Sequence, residues 1–165
     1  MDPVDTLIGL SEVSLALGGF AAIVLVLGTR ANALDDDTLA YVRLIVSNAV
    51  GSAFACLIGV AILALEVSPP FVWVLLSAIV LTATVVVSAL NFFLFLRHLE
   101  ARASGLAFFW WSFPAVGCVV HLANALGLLA PPSFGLFFFG LVIVLGQAGL
   151  QFVFLVYSLL KRPSA

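Results

Sequence analysis

The chain has 165 residues, of which 64% are hydrophobic and 8% charged, with a formal net charge of −2. Soluble domains carry roughly 25% charged residues. A chain with mean hydropathy +1.31 has too little polar surface to live in water and is expected to be an all-α integral membrane protein. The same composition excludes a basic nucleic-acid-binding surface, and the short connections leave little chain for a soluble catalytic module.

The first apolar run, residues 8–28, reads IGLSEVSLALGGFAAIVLVLG and holds one ionisable residue, Glu12. The preceding MDPVDTL has no Lys or Arg, and the run exceeds the roughly 7–15 residues of a signal-peptide core. Ala31-Asn32-Ala33 fits a small-residue cleavage site only superficially. The run is therefore expected to be a retained span. Four more runs follow, giving expected spans at 7–28, 41–65, 71–96, 107–130 and 134–159 in a single transmembrane domain over 1–165. Each is long enough, at 1.5 Å per residue, to cross a hydrocarbon core of about 30 Å. Each must be helical, because backbone polar groups in lipid need partners within their own segment. The runs are continuous and do not alternate, which argues against a β-barrel.

The connections set the direction. Arg30 and Arg43 flank the first, Arg97 and Arg102 lie in the third, and Lys161 and Arg162 follow the last span. EVSPPF and LAPPSF, the second and fourth, contain no basic residue. The positive-inside rule then predicts a five-helix bundle with the N-terminus outside and the C-terminus cytoplasmic, multi-pass in the inner (plasma) membrane. Pro69-Pro70 and Pro131-Pro132 suit helix starts, where the missing N–H is not needed. They mark two hairpins, the second and third spans and the fourth and fifth, as a faint parallel repeat. Asp35, Asp36 and Asp37 suit the positive start of the second span, a simpler reading than a divalent-cation site. Tyr41, Trp73, Trp110, Trp111 and Tyr157 are expected as interfacial anchors. Cys56 and Cys118 read as small packing residues. Pro114, with Gly117 nearby, is expected to bend the fourth span.

The informative residues are the polar ones that hydrocarbon does not tolerate without a reason. By depth they form a ladder: Glu12 and Asn124, then His121 and Gln147, then Gln151, then Asn48 and Asn91. Such a ladder suits a transport path, with Glu12 setting cation preference at the mouth and His121 titrating midway. Hydrogen bonds that merely hold helices together are the simpler reading for any single Asn or Gln and for His121 with Asn124. A Glu12–His121 ion pair is compatible with their depths. In the first span Glu12, Ala16, Gly19 and Ile23 share one face, and Ser14, Gly18 and Ala22 another. Small residues on two faces suggest partners on both sides, hence a homo-oligomer.

The sequence has no HExxH, Walker loop, GxSxG or Cys/His zinc pattern, and no voltage-sensor or potassium-filter signature. His98 reads as a solvated interface residue. No catalytic residue, metal or cofactor is expected. The partners expected are the lipid bilayer, further copies of the chain and, in a second reading, another membrane protein. The function expected is a small oligomeric channel or transporter for ions or protons. The alternative is a non-catalytic scaffold or accessory subunit.

Overall fold

The computed structural model describes residues 2–30, 36–96 and 104–160. It is helical: α1 Pro3–Arg30, α2 Asp36–Leu63, α3 Pro69–Leu96, α4 Ser104–Leu126 and α5 Phe134–Leu160. The sequence signals at helix ends act as capping chemistry requires. Asp2 precedes α1, its Oδ1 accepting the Val4 N–H at 2.8 Å, and Pro3 takes the first helical position. Ser68 precedes the Pro69-Pro70 start of α3, its carbonyl accepting the Val72 N–H at 3.2 Å. Ser133 opens α5 in the same way, accepting from Phe137 at 3.2 Å.

Most helix ends differ from the expected spans by one to five residues, and the largest differences are in α1, α2 and α4. α2 begins at Asp36, five residues before the apolar run. It stops at Leu63, where Glu66 enters the left-handed region at φ 55°. α4 ends at Leu126, not at residue 130, because Gly127 turns left-handed at φ 63°. The Leu128 N–H then bonds back to Ala123 O at 2.9 Å and the Gly127 N–H to Asn124 O at 3.3 Å, a Schellman stop. Hydropathy continues through Leu128 and Leu129, so a reading by apolar run overshoots.

Four helices, α1, α2, α3 and α5, are long and apolar enough to cross a membrane. The surface agrees with that class: Phe20, Leu27, Phe54, Val119 and Val153 are all exposed, a pattern that suits lipid and not water. The described apolar part of α4, Ser112–Leu126, is shorter.

Consecutive helices pack as antiparallel neighbours, and α5 touches all four others. Among the described residues α1 meets α2 and α5 but neither α3 nor α4. The core has two parts. Towards the proline turns, Leu7, Cys56, Trp73, Leu76, Phe137 and Leu141 pack together. Towards the other end, Ala21, Val42, Ile45 and Leu155 do so. Trp73 is thus buried between Phe134 and Phe137, at ring separations of 5.2 and 5.9 Å, and is not an interfacial anchor. Its neighbours are the aromatics that open α5, which cover the ring once the hairpins fold together. Cys56 packs in the core as a small apolar residue. Arg97, His98, Arg102, Lys161, Arg162 and Asp35 lie outside the described residues, as do the side chains of Tyr41, Trp110 and Trp111.

Candidate functional site

The expected polar ladder divides into four separate places. Asn124, at the end of α4, is fully buried and fully used. Its Nδ2 donates to Ser77 Oγ on α3 at 2.9 Å and to Ser133 O at 3.2 Å. Its Oδ1 accepts the Ser133 N–H at 2.9 Å. One amide therefore closes the turn between α4 and α5 and ties it to α3. Ser77 and Ser133 were not singled out from the sequence. Ser133, coming just after Pro-Pro and before an aromatic run, is the signal that locates the helix start.

His121 lies one turn back on α4, fully buried, with neither ring nitrogen hydrogen-bonded. The ring rests on α5 where Gly140 offers no side chain. A Cβ at that position would come 2.6 Å from Nε2. Phe137 meets the imidazole edge-on at 5.7 Å. Pro114 is buried and α4 continues through it, leaving the carbonyl one turn earlier without its helical donor.

Gln147 and Gln151 project inward from α5, both buried. The side-chain amide of Gln151 has no hydrogen-bond partner at either atom. Leu141 packs with Ala55 and Cys56, and Leu155 with Val42 and Ile45. That antiparallel register sets Gln151 against the turn of α2 that carries Asn48. Asn48 itself is half-buried in the wall of a groove between α2 and α3. The groove has a volume of about 190 Å³ and an almost wholly apolar surface, with Ser47, Asn48, Ser52 and Thr84 among its lining residues and Leu141 and Val144 of α5 as its floor. Ser52 is 3% exposed and its hydroxyl has no partner. By contrast the hydroxyls of Ser11, Ser14 and Thr82 return to carbonyls of their own helices at 2.7–2.8 Å. Asn91 belongs to α3, but its side chain is outside the described set.

Glu12 stands apart from all of these. It is exposed on α1, as are Ala16, Gly19 and Ile23 along the same face. The opposite face, with Ser11, Ser14, Gly18 and Ala21 buried, lies against α2, and a Cβ at Gly18 would meet Ala49 at 3.4 Å. Because α1 does not touch α4, neither a Glu12–His121 ion pair nor a Glu12–Asn124 rung forms within the chain. Depth along a helix is readable from sequence, but which face turns inward depends on which neighbour the small residues admit. Ala22, expected beside Ser14 and Gly18, is exposed, and Ala21 takes its place. No group of three His, Cys, Asp or Glu able to hold a metal ion occurs among the described residues.

The fold defines an all-helical membrane-class bundle with Glu12 exposed on the outer face of α1 and isolated polar groups within. Compared with family models, curated proteins and solved structures, the chain matches none.

Proposed function

We propose that this chain is a five-span, single-domain protein of the inner (plasma) membrane, N-terminus outside and C-terminus cytoplasmic, that self-associates through α1 and conducts or transports ions or protons. The observation that carries the reading is the outward face of α1. Glu12 lies seven residues beyond Asp5, about 10 Å along the helix axis. A charged side chain facing lipid costs up to about 2.5–3.5 kcal/mol at the centre of a span and less towards its end. A second subunit or a hydrated axis removes that cost. Ala16 and Gly19 on the same face let another helix approach closely. Copies of Glu12 around a symmetry axis would form an acidic ring of the kind that selects cations. Inside one bundle Glu12 faces outward and α1 does not touch α4, which carries His121 and Asn124, and this favours a path between subunits over one through a subunit. As a fifth span, α4 has 23 residues, about 35 Å of helix, and it makes the distribution of basic residues consistent.

Flux of protons and monovalent cations from liposomes containing the purified chain tests the reading. Wild type is expected to conduct above empty vesicles, Glu12→Ala to abolish flux, and Glu12→Gln to weaken cation preference. Flux indistinguishable from empty vesicles under every gradient would refute it. The same outward carboxylate favours one other reading, an accessory subunit whose α1 docks a partner helix bearing a basic or hydrogen-bonding side chain. A pull-down from native membranes separates the two, recovering only further copies of the chain in the first case and a distinct membrane protein in the second.

A further inference from the structure

The groove between α2 and α3 has no α1 residue in its lining. It extends from Ser47 to Ile58 on α2, about 16 Å, and from Ile79 to Val87 on α3, about 12 Å. Its rim includes the exposed residues Gly51, Phe54 and Ala83, so it opens sideways on the outer surface of the bundle. With α2 and α3 spanning a bilayer, that opening faces lipid chains. Gly51 widens it: a Cβ there would meet nothing within 4 Å. An almost wholly apolar trough of this length offers dispersion contacts to a flexible hydrocarbon chain. It holds nothing for a polar head to recognise.

The selecting group lies one turn past the end of the groove. Arg43 precedes Ser47 by four residues, about 6 Å along α2, and residues at that spacing share a helix face. Arg43, Ser47, Gly51, Phe54 and Ile58 are all exposed, so the arginine heads the outward row that forms the rim. It is the second residue of the membrane-length apolar stretch Val42–Leu63. That depth lets its stem lie among lipid chains while the guanidinium reaches the headgroups. No described side chain pairs with it. Asp36 and Asp37 open α2 about 9–10 Å further on, roughly a Debye length away.

We propose that Arg43 and the groove together hold one anionic phospholipid, an acyl chain lying along the trough and the phosphate resting on the guanidinium. The planar fork of arginine can donate to both unesterified oxygens of a phosphodiester. A headgroup with net negative charge leaves the pair neutral, whereas a zwitterionic one brings a second cation beside the arginine. The chain fills the space that α2 and α3 leave between them. In the orientation proposed above, the lipid belongs to the cytoplasmic leaflet. Binding itself needs only α2 and α3 in a membrane and is independent of conduction through α1.

Native mass spectrometry of the full chain in mild detergent tests the assignment, with phosphatidylglycerol and phosphatidylcholine of identical acyl chains as probes. Wild type is expected to give a saturable one-to-one adduct, roughly fivefold tighter with phosphatidylglycerol. Arg43→Gln should bring phosphatidylglycerol down to the level of phosphatidylcholine. Gly51→Leu puts a side chain into the trough, with no clash at Cβ and a better helix former than glycine. It should weaken both lipids roughly tenfold and leave the preference between them. Both positions are exposed, and if one variant does not fold, the other decides alone. Absence of a saturable adduct, equal binding of the two lipids by wild type, a preference retained in Arg43→Gln, or undiminished binding by Gly51→Leu overturns the proposal.

Discussion

Two hairpins begin from the same local signal and end as different structures. α2–α3 and α4–α5 each turn at a Pro-Pro pair preceded or followed by serine, and each has a left-handed residue just past the first helix, Glu66 in one and Gly127 in the other. Yet α4 and α5 close tightly, Gly117 approaching Val144 and Gly140 receiving His121, whereas α2 and α3 stand apart around a groove. The turn fixes topology, and side-chain size and hydrogen bonding fix closeness. Among lipid chains there is no hydrophobic drive for helices to associate, so packing contacts and interhelical hydrogen bonds carry the difference. On α2, Ala49 lies against Gly18 of α1, and Gly59 lies against both Leu7 of α1 and Leu76 of α3.

The comparison can be broken most severely at Asn124. Asn124→Ala removes three hydrogen bonds and leaves the part-buried Ser133 N–H without its side-chain acceptor. The expected loss is about 3 kcal/mol in a detergent unfolding titration. The matching change in the open hairpin, Asn48→Ala, should cost less than a third of that. A smaller effect, about 2 kcal/mol, is expected for Gly140→Ala, because the new methyl must displace a buried imidazole. Combining it with His121→Ala should cost less than the two single losses added, since the clash disappears with the ring. Strict additivity would mean that the ring does not sit on Gly140.

The turns themselves give a finer test. Gly127→Ala puts a Cβ into left-handed backbone at φ 63° and should cost about 1 kcal/mol. Glu66→Gly, at φ 55°, should move stability the other way by a few tenths to about 1 kcal/mol, relief of strain being partly offset by glycine's freedom in the unfolded chain. The smallest effect is expected at Gln151. Its buried amide makes no hydrogen bond, so Gln151→Leu should be neutral or stabilising in the same titration. A loss above about 1 kcal/mol would show that the amide has a partner.

Much of the architecture was legible in the chain because continuous apolar runs leave helices as the only option and prolines mark their starts. The end of α4 was misplaced because hydropathy does not register a left-handed glycine, although Gly127 followed by Pro131 was there to be read. The polar residues were legible as exceptions but not as a set. Their depths followed from helix rise, and Asn124 with His121 does share a buried face of α4. Depth carries no information about rotation, so the sequence could not tell that Glu12 faces away from the bundle while Ser11 and Ser14 face inward. Trp73 was misread for a related reason: interfacial preference is a tendency of the residue type, and the covering rings of Phe134 and Phe137 belong to a helix some sixty residues away.

The central claim is that the outward face of α1 is covered by another copy of the same face. Cysteine cross-linking in native-like lipid tests it, in a Cys56→Ala, Cys118→Ala background with single Ala16→Cys, Gly19→Cys or Ala21→Cys substitutions. The account predicts oxidised oligomers from Ala16→Cys and Gly19→Cys, and none from Ala21→Cys, whose side chain is buried against α2. Monomer alone at all three positions, or equal cross-linking from the buried one, would contradict it.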